Sequence, residues 1–423
     1  MPLWACATRA DEFDRALVAR DLAARTGMEP GDGTTDLPPG VTLGAPVPVD
    51  TAVAIALWRN AAFQAALADL GLRRAEVLQA GQLPNPVLSL LFPLGPKQLE
   101  FTAKVPLDAL WTRPGRVAAA EADAERTAAL LVQDGLDLIR DVRCAFAEWQ
   151  RAQEQAELTA AHAALADRLD QLAQARLRAG DLSPQAAAGA TTAHLVARAQ
   201  AAQDQFAIEL ALRRLRLLLG LARDARAVTF AAATAPPAPL ADATDEWTTT
   251  ALAARPDVRA AEWALEAAGE RAGLLRHEFL ALSGILDANG SGKRGFEAGP
   301  GVELPLPLLH QGGAARARGA AEVERAARGY VAVRDRVALE VQEAALEHAR
   351  AQAQRDAAIR AEAVLASAAA ASARAAAAGD SAPGPALEAE LALLAQRSQT
   401  LAADTSVRRA RAQLERAVGR RLP

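Results

Sequence analysis

The chain has 423 residues, with 47 Lys and Arg against 51 Asp and Glu, and a formal charge of −4 excludes a bulk basic surface for nucleic acid. It is 51% hydrophobic but only 4% aromatic, and much of the apolar share is alanine, which builds helices and buries little surface. That composition suits long, closely packed helices and excludes a large aromatic core.

Residues 1–47 read as an N-terminal segment and linker, with a charged helical piece, DEFDRALVARDLAAR, ahead of a Gly- and Pro-rich stretch over 27–49. A helix is predicted from Asp50, with Asp50 as its N-cap, ending at Gly81 and Pro84. Residues 86–106 are expected to form a hairpin, because Pro86, Pro93, Pro96 and Pro106 exclude a helix. Gln98–Val105 alternates: Leu99, Phe101, Ala103 and Val105 fall on one face, Gln98, Glu100, Thr102 and Lys104 on the other. Val87–Phe92 is the expected partner strand.

A helix over 116–180 follows, interrupted only by Gly135, and at 1.5 Å per residue it would run roughly 100 Å. The turn AGDLSP ends it, with Gly180 as a left-handed C-cap and Asp181 or Ser183 capping the return helix over 184–219. Residues 221–247 read as an irregular excursion.

The same order then restarts: a helix over 248–277, a hairpin over 278–306, a long helix over 312–378, the turn AGDSAP, and a return helix over 385–420. Between the second pair of strands, DANGSGKRG is the turn signal. Phe296, Ala298, Val302 and Leu304 alternate with Glu297, Gly299, Gly301 and Glu303. Three matches share one spacing of 199 residues: VPL at 105–107 with LPL at 304–306, RAQ at 151–153 with RAQ at 350–352, and AGD at 179–181 with AGD at 378–380. The chain is an internal duplication, read as repeats over 48–220 and 248–423 around the irregular 221–247 segment.

The fold class expected is mainly α with a small β part. Four short strands are too few to close a barrel, yet their apolar faces need cover, and a sheet in lipid cannot leave an edge open. The alternation fits strands that combine with those of other copies into one membrane barrel.

Here the residues resemble a known family. TAVAIALWRNAAFQAAL, LQAGQLPNPVLSL, VELPLPLLHQGGAARARGAAEVERA and the paired AGD turns, in that order over about 48–420, are similar to the outer-membrane efflux proteins, the TolC-like channels. LPNPVLSL and PLPLLHQG are closest to the branch serving heavy-metal and cation efflux. The resemblance implies a homotrimer with a twelve-stranded barrel in outer-membrane lipid and an α-helical barrel crossing the periplasm. It also implies docking to a periplasmic adaptor and an inner-membrane pump, with the channel as a passive conduit that needs no cofactor. By alternation, Gln98, Glu100, Thr102, Lys104, Glu297 and Glu303 would face the lumen, and Leu99, Phe101, Phe296 and Val302 the lipid. Asp181 and Asp380 would lie at the periplasmic tips where such tunnels close, with plain helix capping as the competing reading. Arg176, Arg178 and Leu182 are the candidate adaptor contacts. Cys6 is the lipidation candidate, since MPLWAC places Leu3 and Ala5 as a lipoprotein signal would, although Trp4 is bulky there and the preceding charged and apolar regions are missing.

An enzyme is not expected. His162, His194, His277, His310 and His348 are scattered, and neither HExxH nor a phosphate-binding glycine loop is present. GSGKRG at 290–295 reads as a hairpin tip. Cys144 reads as a buried, inert thiol. The competing function is a coiled-coil scaffold or periplasmic adaptor without a pore, which explains the long helices but not two hairpins placed alike in each repeat.

Overall fold

The computed structural model describes all residues except 1–7, 32–35, 93–98, 227, 233–237, 242, 277–280, 291–295, 307 and 310, and the side chains of Leu99 and Phe296. Cys6, Gln98, His277 and His310 lie outside the described residues, as do the hairpin tips.

A short 3-10 helix, Arg9–Glu12, precedes α1 (Arg15–Thr26), α2 (Val49–Arg59) and α3 (Ala61–Gly81). Strands β1 (Val87–Leu91) and β2 (Leu99–Pro106) lead into α4 (Asp108–Ala179) and α5 (Pro184–Leu218). The second half repeats this order: α6 (Thr244–Ala254), α7 (Pro256–Leu275), β3 (Ser283–Gly290), β4 (Phe296–Glu303), α8 (Gly313–Ala378) and α9 (Pro383–Val418). No described helix is long and apolar enough to cross a membrane.

The single helix expected from Asp50 is two helices. Asn60 is extended, its Oδ1 accepts from the Phe63 amide at 3.0 Å, and its Nδ2 donates to the Leu218 carbonyl at 2.9 Å. The break is therefore a side-chain cap at the head of α3. Pro48, not Asp50, occupies the N-cap of α2; Asp50 sits in the first turn and pairs with Arg421 at 3.3 Å. The helix expected over 248–277 likewise starts at Thr244 and breaks at Arg255. Pro256 holds the residue before it extended and opens α7 at its first position. Arg255 is fully buried and paired with Asp257 at 3.0 Å, so its charge is compensated where it cannot reach water.

The first long helix starts eight residues earlier than predicted, at Asp108, and runs through Pro114. A proline early in a helix removes one backbone bond and does not stop it here. Gly135 does not break α4 either. A Cβ there would meet Leu22 at 3.0 Å and Phe63 at 3.5 Å, so this glycine permits close approach of α4 to α1 and α3.

Four helix ends share one device. Gly180, Gly220, Gly379 and Gly419 have φ of 83°, 67°, 80° and 84°. The next residue's amide in each case returns to a carbonyl five residues back: Asp181 to Arg176, Leu221 to Arg216, Asp380 to Ala375 and Arg420 to Glu415. These are Schellman caps, and only glycine reaches that backbone region without cost. They form two pairs separated by 199 residues, the spacing of the sequence matches.

The described chain divides into two compact units that cut across the repeats. One (residues 1–21, 65–133 and 252–337) holds all four strands. Its buried residues include Ala10, Phe13, Val77 and Ala124, packed with Leu17 and Ala120. The other (22–64, 134–251 and 338–423) holds both AGD turns. There Val47 bridges Phe230, which lies edge-on to Phe146 and Trp149 with ring centroids at 5.7 and 5.2 Å.

Candidate functional site

The strands form one antiparallel sheet in the order β1-β2-β3-β4. Register decides which side chains share a face, because directly opposed residues point the same way. Glu100 lies opposite Leu91 and Asn289, and Asn289 opposite Glu297. Thr102 lies opposite Ser89 and Asp287; Lys104 lies opposite Val87 and Ile285. Glu303 joins the same face opposite Ser283. Glu100, Thr102, Lys104, Glu297 and Glu303 thus share one surface. Gln98 falls outside the described residues.

The other face carries Leu88, Leu90, Phe101, Ala103, Val105, Leu286, Ala288 and Val302. Leu99 and Phe296 belong to it by register, their side chains not being described. Leu88, Leu90, Val105, Leu286 and Val302 are all exposed. A row of exposed aliphatic side chains on one sheet face needs a non-aqueous neighbour.

Two contacts tie the polar face across the strands. Thr102 Oγ1 donates to Asp287 Oδ1 at 2.9 Å, and Lys104 Nζ meets Glu303 Oε2 at 2.5 Å. Lys104 and Glu303 are 199 residues apart, so the same position of each repeat supplies opposite charges to one pair. Four carboxylates (Glu100, Asp287, Glu297 and Glu303) stand on this face against one described cation, Lys104. Asp287 and Asn289 are absent from the sequence prediction because DANG reads as turn. In the structure β3 continues to Gly290, and Asn289 Nδ2 donates to Asp287 Oδ2 at 3.1 Å. Alternation of Asp287 and Asn289 with Leu286 and Ala288 was the available signal. Leu304 lies beyond β4 and does not extend its alternation.

The two AGD turns have the same backbone. Ser183 caps α5, its Oγ accepting from the Ala186 amide at 3.2 Å. Ala382, at the head of α9, offers no side-chain cap. Asp181 and Asp380 are exposed, and among the described residues neither carboxylate makes a hydrogen bond or ion pair. Side-chain capping therefore does not account for either aspartate. Arg176 and Arg178 are exposed on the last turn of α4. Arg176 and Leu182 border a cavity of about 300 Å³ with His162 and Leu172 of α4 and Glu388 and Leu391 of α9. Cys144 is partly buried, and burial pushes its thiol above the ordinary range, which keeps it protonated.

Residues 247–420 match the family model described as Outer membrane efflux protein. Comparison with curated proteins finds no significant match. Among solved structures, the outer-membrane channel OprN is 20% identical with a TM-score of 0.73, covering 88% of this chain and 90% of its own. The outer membrane protein VceC from Vibrio cholerae is 17% identical with a TM-score of 0.70, covering 88% and 96%. CusC, whose structures concern folding and transmembrane channel formation, is 18% identical with a TM-score of 0.69, covering 88% and 91%. The second repeat thus matches the model of the outer membrane efflux proteins, and the fold along the chain is shared with these solved structures.

Proposed function

We propose that the chain is one subunit of a homotrimeric outer-membrane channel, the passive exit duct of a tripartite efflux system. The observation that carries this reading is the sheet: one face holds four carboxylates beside Val87 and Leu91, the other is exposed and aliphatic, and among the described residues β1 and β4 are each paired on one side only. In lipid the apolar face is satisfied and the open edges are not, so edge must meet edge of another copy. Three copies supply twelve strands, enough to enclose a water-filled lumen. The polar face then lines the lumen, with Glu100, Asp287, Glu297 and Glu303 outnumbering Lys104 in every subunit. Such a lining concentrates cations and depletes anions. Cationic cargo, metal ions or drugs, suits it best.

At the AGD turns, the free carboxylates of Asp181 and Asp380 are the proposed acidic groups of the periplasmic end. Arg176, Arg178 and Leu182 are the proposed contacts for a periplasmic adaptor, which links the channel to its inner-membrane pump. Cys6 is the proposed point of lipid attachment in the natural product.

The test is single-channel recording of detergent-purified trimer in planar bilayers under a salt gradient. Discrete, cation-preferring openings are expected. The double substitution Glu100→Gln with Glu297→Gln should lower the cation-to-anion permeability ratio roughly twofold or more. Folded protein that stays soluble without detergent overturns the barrel and leaves a helical scaffold.

A further inference from the structure

A cavity of about 960 Å³ lies within the unit that carries the AGD turns, and the channel reading gives it no task. Its walls come from the head of α2, the middle of α4, Ala231, Ala232 and Ala238, α9 and residues 421–423. Its size is that of a small-molecule site.

The lining is uneven in charge. Arg143, Arg408, Arg411 and Arg421 face it against Asp50 and Glu415. Both carboxylates are already shared. Glu415 takes Arg143 on one oxygen and Arg411 Nε, at 3.1 Å, on the other. Asp50 takes Arg143 at 3.4 Å and Arg421 at 3.3 Å. Arg411 is the most deeply placed of these cations, with 9% of its side chain exposed. Its Nη2 donates to the carbonyls of Leu422, at 2.8 Å, and Pro423. Its Nη1 is buried and, among the described residues, has no hydrogen-bond partner. A buried guanidinium nitrogen without an acceptor is costly, and an anion removes that cost. Burial also pushes the Arg408 guanidinium below its ordinary value.

The rest of the wall is apolar. Phe146, Ala147, Ala231, Ala412 and Leu422 line it. Phe146 packs edge-on against Trp149 at 5.8 Å and Phe230 at 5.7 Å, which holds this ring in place.

We infer that this cavity binds a small organic anion with an apolar body, its acid group held by Arg411 and its hydrocarbon against Phe146 and Ala147. Such binding does not depend on whether the chain forms a pore.

The probe is naphthalene-sulfonate, titrated calorimetrically into the detergent-solubilised protein with empty micelles as blank. One site per chain is expected. Neutral naphthalene-methanol, matched in hydrocarbon, should bind about tenfold or more weakly, as for a lost charge-assisted hydrogen bond. Arg411→Gln should weaken the sulfonate about tenfold while leaving the neutral probe unchanged. Ala147→Leu, which fills the apolar wall and leaves every arginine in place, should abolish both. Absence of sulfonate binding by the unmodified protein overturns the inference. So does equal binding of the neutral and anionic probes, a comparison that requires no variant to fold.

Discussion

Residues 142–152 of α4 and 341–351 of α8 are the same stretch of the two repeats, 199 residues apart. They share four buried positions, although Ala147 and Gln150 are buried where their counterparts Leu346 and Ala349 are exposed. Val142 and Val341 are fully enclosed, Ala152 and Ala351 nearly so, and so are Trp149 and His348. What fills those positions differs. On α4, Phe146 and Trp149 meet Phe230 from the connection after α5 at 5.7 and 5.2 Å, and each other at 5.8 Å, all edge-to-face. On α8 the counterparts are Ala345 and His348, and the His348 Nε2 has no hydrogen-bond partner among the described residues. Duplication preserved the spacing of the four shared positions, 142/341, 146/345, 149/348 and 152/351, which helix geometry dictates. It left the chemistry at each position free, because the chain that packs there differs.

The same contrast recurs where the helices break. Asn60 ends α2 with a cap formed by its own side chain, whereas Arg255 ends α6 through the proline after it and a buried ion pair. At the AGD turns it does not recur in the backbone. Gly180 and Gly379 have nearly equal φ and equivalent hydrogen bonds, although Arg176 and Arg178 flank the first and only alanines precede the second. A left-handed residue admits one solution, and a buried site admits many.

The largest expected break in this comparison is at the aromatic site. Trp149→Ala should cost about 3–5 kcal/mol, the range for deleting a buried aromatic side chain. Urea unfolding in detergent, followed by far-ultraviolet circular dichroism, measures it. His348→Ala at the matching position should cost much less, since it removes a polar group that nothing satisfies. Equal losses at the two positions would mean that burial alone, and not the aromatic cluster, sets the contribution.

A smaller and symmetrical effect is expected at the turns. Gly180→Ala and Gly379→Ala should each cost about 1–2 kcal/mol, because a Cβ disfavours positive φ. Neither has a neighbour within 4 Å of the added carbon, so backbone conformation is the only cause and the two losses should agree. Unequal losses would show that the flanking side chains, and not φ, decide the stability of the tips.

The smallest effect is one of pH. Burial first, and the nearby Arg411 second, hold the His348 pKa below its ordinary value. The unfolded chain binds that proton at about pH 6.5, and the folded chain resists it. Stability should therefore fall as pH drops below about 6.5, until the folded imidazole is also protonated. His348→Gln should flatten that part of the profile, with denaturation midpoints at pH 7.5 and 5.5 as the measurement. An unchanged slope would assign the pH dependence to carboxylates elsewhere.

Legible in the chain alone were the element order apart from two helix breaks, the duplication, the left-handed cap at Gly180 and the alternating faces of β2 and β4. Each of these rests on neighbours in the chain: period two for a strand, an alanine-rich run for a helix, a glycine where φ must be positive. The breaks at Asn60 and Arg255 were not legible. An asparagine inside a good helical pattern caps or continues depending on what its amide meets, and here it meets the Leu218 carbonyl. The acidic row was legible only in part. Alternation placed Glu100 and Glu297 on polar faces, but only register set them beside Asn289 and brought Asp287 to Thr102. The arginine-lined cavity was invisible, because Asp50, Arg143 and the pair Arg411 and Arg421 are brought together from three separate stretches of the chain. Pairings across such separations depend on how the helices return against one another, and that is a property of the packed molecule.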